Sequence, residues 1–161
     1  MSIATRVETH MRQCGAPYDV VAHSHSRNST QTAEFANVPG ERLAKCVVLE
    51  DDDGYVIAVL PSTSHVRIGK LGRELNRKLR LATEDELPNL FTDCELGAIP
   101  PMGLIYGIKT VMDDSLANQP EIYFEAGDHE RLIRMRGEDF VTMMQGAGHA
   151  RFSRRPRFSS R

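Results

Sequence analysis

The sequence predicts an α+β fold: a compact single domain with a curved, mixed β-sheet and flanking helices. Three observations point there. Short apolar, β-branched runs outnumber the helical ones and are not separated by regular helices, which disfavours a doubly wound parallel sheet. Residues 44–49 (AKCVVL) and 55–60 (YVIAVL) flank an acidic stretch ending in Asp53-Gly54, the pattern of a β-hairpin. The 161 residues show no internal repeat and no linker, and a chain of that length can bury a core without cross-links.

The elements follow in order. Ile3, Val7, Met11 and Cys14 lie at helical spacing and Gly15 supplies a stop, giving a first helix over 3–14. Residues 18–23 (YDVVAH) read as a strand. Residues 30–38 (TQTAEFANV) read as a short helix that starts at Ser29 or Thr30 and closes at Pro39-Gly40. After the hairpin, Pro61 ends the second strand. Residues 65–68 make another short strand, 68–79 a helix with Leu71, Leu75 and Leu79 on one face, and Leu81 a brief strand. Thr83, with Glu86 three residues on, opens a helix through a capping box. Residues 104–108 and 109–112 are strand-like on either side of Gly107. Residues 121–125 (EIYFE) and 132–135 (LIRM) are strands bracketing a turn at Ala126-Gly127-Asp128-His129, and 138–144 is a last helix ended by Gly146 and Gly148. The domain is expected to span 1–146, with 147–161 a basic, flexible tail.

Composition narrows the function. An apolar fraction of 40% and a charged fraction of 26% are ordinary for a globular protein. No apolar run is long enough to cross a bilayer, and the opening MSIATRVETHMRQCG lacks the apolar centre of a signal peptide, so a cytoplasmic protein with no membrane partner is expected. Cys14, Cys46 and Cys94 are odd in number and widely spaced, which argues against a disulfide framework or a structural zinc site. The six histidines form neither HxxxH nor HExxH, and His23 and His25 would share a face only on a strand; no metal and no cofactor is expected. The acidic run before Gly54 reads as a solvated turn. A net charge of -2 argues against bulk nucleic-acid affinity, yet residues 151–161 (RFSRRPRFSSR) hold five arginines and no acid. That segment is either a solvated terminus or an arm that touches phosphates without reading sequence.

Three features could carry chemistry. Lys45 opens the apolar strand AKCVVL: it is either a snorkelling strand-end lysine or a point charge for a phosphate or a developing oxyanion. Gly97-Ala98-Ile99-Pro100-Pro101 is a stiff loop, because two prolines remove two donors and hold an extended path while Gly97 permits close approach. Gly127-Asp128-His129 is a turn whose histidine is either exposed or at a pocket rim. Cys46 follows Lys45 directly, points to the opposite face of a strand and reads as core. No Ser-His-Asp set, GxSxG, P-loop or dinucleotide fingerprint is present.

Taken in order, the lysine before a hairpin (ERLAKCVVLEDDDGYVIAVLP), the G-x-x-P-P loop (CELGAIPPMG) and the F-x-A-G-x-H turn (YFEAGDHERLIRM) resemble the YbaK/aminoacyl-tRNA editing superfamily, which includes the editing insertion of bacterial prolyl-tRNA synthetase. The resemblance covers residues 3–145. It implies a YbaK-like fold with a small pocket, and hydrolysis of the ester between an amino acid and the terminal adenosine of a tRNA without a metal or a protein nucleophile. It implies catalytic roles for Lys45, Gly97 and Ala98. Lys45 would position the terminal nucleotide or phosphate, and the backbone of the loop would place the water. Ile99, Pro100, Pro101, Gly127 and His129 would bind the substrate. The F-x-A-G-x-H turn resembles the alanine-editing branch, which implies Ala-tRNA(Pro), with the acceptor end of the mischarged tRNA and prolyl-tRNA synthetase as partners. Cys46 departs from the asparagine that some free-standing alanine editors carry there, which leaves cysteine, serine or threonine as other acyl groups. The rivals from other classes are a non-catalytic tRNA- or synthetase-binding module and a hydrolase of free esters.

Overall fold

The computed structural model describes residues 4–95 and 98–155. The chain runs α1 (Thr5–Cys14), β1 (Asp19–Ala22), α2 (Ser29–Ala36), β2 (Leu43–Asp51), β3 (Gly54–Pro61), β4 (His65–Val66), α3 (Ile68–Leu75), β5 (Arg80–Leu81), α4 (Leu87–Leu90), β6 (Lys109–Asp113), β7 (Glu121–Glu125), β8 (Arg131–Arg136), α5 (Gly137–Met143), β9 (Gly148–Ala150) and β10 (Ser153–Arg154). Among the described residues the main sheet has eight strands in the order β1-β8-β7-β2-β3-β6-β9, with β5 paired to β2; β10 and β4 form a separate ribbon. The β2–β3, β7–β8, β1–β8 and β2–β5 pairs are antiparallel, whereas β2–β7, β3–β6 and β6–β9 are parallel. The expected mixed sheet with flanking helices is what forms.

Strand alternation sorts the core onto two faces. Ala44 and Val48 of β2, Ile57 and Val59 of β3, and Ile122 and Phe124 of β7 pack with Val7 and Met11 of α1 and Phe140 of α5. On the opposite face Leu49, Val56, Ala58 and Leu60 meet Leu71 of α3, while Leu43, Tyr123 and Leu132 lie beneath α2. The hairpin therefore runs through the middle of the molecule and is covered on both sides.

Several local expectations are corrected. Residues 103–106 form a 3-10 turn instead of a strand: Gly107 takes φ 73° and its N–H returns to the Gly103 and Leu104 carbonyls, which reverses the chain before β6. The helix expected over 68–79 stops at Leu75, because Asn76 takes the left-handed conformation and the Arg77 N–H closes onto Gly72 O at 2.8 Å. The second helix is capped by Asn28, whose side chain accepts the Gln31 N–H. The acidic loop is more than a solvated turn: Asp51 takes two 2.7 Å bonds from the Arg77 guanidinium and accepts the Asp53 and Gly54 N–H groups, which hold its carboxyl well below the usual range.

The largest correction concerns the C-terminus. Residues 148–154, expected to be flexible, enter the fold as β9 beside β6 and β10 beside β4. Phe152 is fully buried next to Leu60 and Leu71, a burial worth about 1.5–3 kcal/mol. Asp113 at the end of β6 holds the segment, accepting the N–H groups of Phe152 and Ser153 at 2.9 Å and the Ser153 hydroxyl at 2.8 Å. Residues 156–161, with the last arginines, lie outside the described residues.

Candidate functional site

β2 and β7 run parallel, with Leu43 opposite Tyr123 and Ala44 opposite Phe124. Two residues beyond Leu43 and Tyr123, Lys45 and Glu125 therefore belong to the same face of neighbouring strands. Lys45 is half-buried, and burial lowers its pKa. Among the described residues no hydrogen bond or ion pair holds its ammonium group. Cys46, on the opposite face, packs against the main core; burial first, and the neighbouring Cys94 second, push its thiol up, and burial pushes Cys94 up to about 12. Neither sulfur is set up as a thiolate nucleophile.

The turn after β7 is tightly built. Gly127 has φ 116°, and a Cβ there would stand 3.0 Å from the Ala4 Cβ, so the position requires glycine. The buried Asp128 carboxylate accepts the Glu130 and Arg131 N–H groups at 3.0 Å and pairs with the Arg131 guanidinium. His129 is buried and takes a left-handed backbone conformation, φ 58°, which costs a non-glycine residue of order 1 kcal/mol.

The G-x-x-P-P loop reaches this turn through Glu95. The Glu95 N–H donates to Gly127 O at 2.7 Å, and the Ala98 N–H donates back to Glu95 O at 3.0 Å. The Glu95 carboxylate lies 3.0 Å from His25 Nε2, and the His25 ring meets the His129 ring edge-on with centroids 5.7 Å apart. Ala98, Ile99, Pro100 and Pro101 are all buried. Ile99 joins Phe91 and Met102 in the core on the face opposite Lys45, and Pro101 lines a small cavity with Leu104 and Met143. The structure thus ties the loop to the Gly127–His129 turn through Glu95, and it relates Lys45 to that turn through the β2–β7 pairing. Gly97 lies outside the described residues.

Beside the turn sits a polar cluster that sequence reasoning did not single out. Glu125 is only 6% exposed, yet its Oε2 accepts the Thr32 hydroxyl at 2.7 Å and lies 3.3 Å from His129 Nδ1. Its Oε1 faces His23 Nε2 at 3.6 Å, too far for a hydrogen bond, and both atoms are buried without a partner among the described residues. Ser26 completes the group, bonding Thr32 Oγ1 at 2.5 Å and giving its N–H to His129 O. The one sequence signal for it was the acid closing EIYFE directly before the small residues of the turn. Among the described residues no group of three or more His, Cys, Asp or Glu side chains is placed to hold a metal ion.

Residues 23–143 match the family model of the aminoacyl-tRNA editing domain, and the chain belongs to that family. Among curated relatives, it is 32% identical over 85 residues to a proline–tRNA ligase of Lactobacillus gasseri, and 30% identical over 89 residues to that of Pseudothermotoga lettingae. The matches cover 52% and 55% of this chain but only 15% of each ligase, so the chain corresponds to a small part of those proteins. Two solved structures share the fold. The hypothetical protein APE2540 superposes with TM-score 0.82 at 22% identity, covering 92% of this chain and 99% of the other. A protein described as a candidate trans-editing enzyme for prolyl tRNA synthetase does so with TM-score 0.79 at 22% identity, covering 92% and 95%. Among the described residues no helix is long and apolar enough to cross a membrane.

Proposed function

We propose that this domain is a trans-acting deacylase, which hydrolyses the ester between a wrongly attached amino acid and the terminal ribose of tRNA, with Ala-tRNA(Pro) as its main substrate. The observation that supports this best is the bonded junction of Glu95, Gly127, His25 and His129, which draws the G-x-x-P-P approach and the F-x-A-G-x-H turn together in a chain of the editing family. An aminoacyl ester is already activated, so orienting one water and stabilising one oxyanion suffices. Water attacks the carbonyl carbon, the acyl C–O bond breaks, and the ribose oxygen leaves with a proton. The Ala98 N–H is engaged by Glu95, so its carbonyl is the group it has to offer that water. Lys45 carries a partly desolvated charge with no partner among the described residues, suited to a phosphate of the acceptor end. Gly127 and His129 would close the amino-acid pocket with Ile99, Pro100 and Pro101, excluding proline by its ring. A second site of different shape is how translation removes residues that a synthetase pocket cannot reject. Prolyl-tRNA synthetase and a cytoplasmic setting fit this role.

A panel of mischarged tRNAs tests it. Alanine should leave tRNA(Pro) much faster than proline, dialysis against a chelator should change nothing, and Lys45→Ala should slow deacylation at least about tenfold, or about 1.4 kcal/mol. Binding of tRNA without hydrolysis would make the domain a non-catalytic module. Equal hydrolysis of free amino-acid esters would make it a small-molecule hydrolase.

A further inference from the structure

We propose that Glu125 is a positioning residue: it fixes the tautomer and tilt of the His129 ring, and through that ring the size of acyl group the site accepts. The inference rests on the deacylase reading. A carboxylate only accepts hydrogen bonds, so the 3.3 Å contact between Glu125 Oε2 and His129 Nδ1 requires the proton on Nδ1. That is the less favoured tautomer of a free imidazole, so a partner must hold it. The same oxygen takes the Thr32 hydroxyl at 2.7 Å, which anchors the carboxylate to α2 independently of the histidine. His129 in turn is held at its backbone, where Ser26 donates to its carbonyl and the left-handed φ of 58° leaves the residue little freedom to relax. The His25 ring stands against its edge. The side chain is therefore gripped by Glu125 at one ring nitrogen, and the turn that carries it is bonded to the G-x-x-P-P approach through Gly127 and Glu95.

A second property separates Glu125 from an ordinary buried staple. Its Oε1 and the facing His23 Nε2 stand 3.6 Å apart, both buried and both without a hydrogen-bond partner among the described residues. The hold on the His129 ring therefore rests on Oε2 alone, the oxygen that Thr32 fixes, while Oε1 makes no competing bond to His23. Small adjustments at a pocket wall that bears on an acyl group are large in rate, since misplacement by about 1 Å can cost a hundredfold.

The test uses the full chain and two readouts. Nitrogen-15 spectra of the imidazoles should show His129 protonated at Nδ1 in the wild type, and Nε2-protonated or mixed in Glu125→Leu. The ratio of deacylation rates for alanine and a bulkier acyl group on the same tRNA should fall about tenfold in Glu125→Leu, and the double variant Glu125→Leu/His129→Ala should go no further than His129→Ala alone. A wild-type ring protonated at Nε2 overturns the proposal even if Glu125→Leu does not fold. A folded Glu125→Leu protein with an unmoved ratio overturns it as well. Wild-type protein that deacylates no tRNA would instead sink the deacylase reading, leaving the tautomer to be read by spectroscopy alone.

Discussion

Two buried carboxylates in this molecule meet opposite fates. Asp113 is 2% exposed and has both oxygens filled: Oδ1 takes the Phe152 and Ser153 N–H groups, and Oδ2 takes the Ser115 and Ser153 hydroxyls. Glu125 is as deeply buried, yet only Oε2 is occupied, and Oε1 looks at an equally unpartnered His23 nitrogen. Burial of an unpaired polar group costs stability, and folded proteins retain such groups sparingly. The saturated site ties a terminal segment to a sheet. The unsaturated one lies beside the turn where we propose the editing site, and groups left unsatisfied are the ones still able to respond to a ligand.

The contrast can be broken by substitution. Asp113→Ala strands the buried Phe152 N–H and releases the β10 segment, so it should destabilise the protein by about 3 kcal/mol, from a cost of about 1–3 kcal/mol per stranded buried donor. Deacylation per folded molecule should stay within about twofold, because the change lies far along the sheet from His129. Urea unfolding beside a rate measurement checks both halves. Glu125→Leu should cost less, about 1–2 kcal/mol, because the Thr32 hydroxyl it strands can still donate to Asn28 O at 3.1 Å, while it shifts acyl selectivity. Equal losses of stability in the two variants would erase the distinction.

Acid sharpens the same comparison. Burial alone would raise the Asp113 carboxyl, but the bonds from Ser115, Phe152 and Ser153 outweigh it and hold its pKa below the ordinary value. A depressed folded pKa means that the unfolded chain binds the proton first. Asp113 therefore contributes its full stabilisation above the ordinary aspartate value of about 4 and loses it as pH falls through the lower folded value. Wild type should lose more stability than Asp113→Asn between pH 6 and roughly pH 3, read from urea midpoints. Parallel curves would mean that the carboxylate is not the anchor.

The smallest effect on stability concerns Lys45, a charge that burial disfavours. Its lowered pKa means that the folded state resists the proton, so this lysine is a net cost to folding at pH below its folded pKa. Lys45→Met should leave the melting temperature unchanged or raise it by a degree or two while deacylation falls, the trade expected of a group kept for function. A clear drop in melting temperature would mean that Lys45 serves the fold.

Much of this was legible in the chain. The hairpin, the capping box at Thr83, the strands around the F-x-A-G-x-H turn and the α+β class follow from alternation and turn chemistry, which act over a few residues. What local pattern misread were segments whose conformation is set at long range. The C-terminal segment looked like a solvated arm because its arginines dominate the composition, yet Phe152 joins the core cluster that holds Leu60 and Leu71, and Asp113 supplies the acceptors. Residues 104–108 carry strand-forming side chains, but 103–106 form a 3-10 turn that the left-handed Gly107 closes.

The sequence by itself determined the family, the two motifs of the candidate site and the strand that carries Lys45, because residue type and spacing decide those. Only the tertiary structure decided which of these groups meet. His23, Thr32 and Glu125 are separated by up to 102 positions and signal nothing in one dimension; the antiparallel pairing of β1 with β8 and the docking of α2 bring them to one carboxylate. A hydrogen bond needs atoms within about 3 Å, and separation along the chain carries no information about that distance.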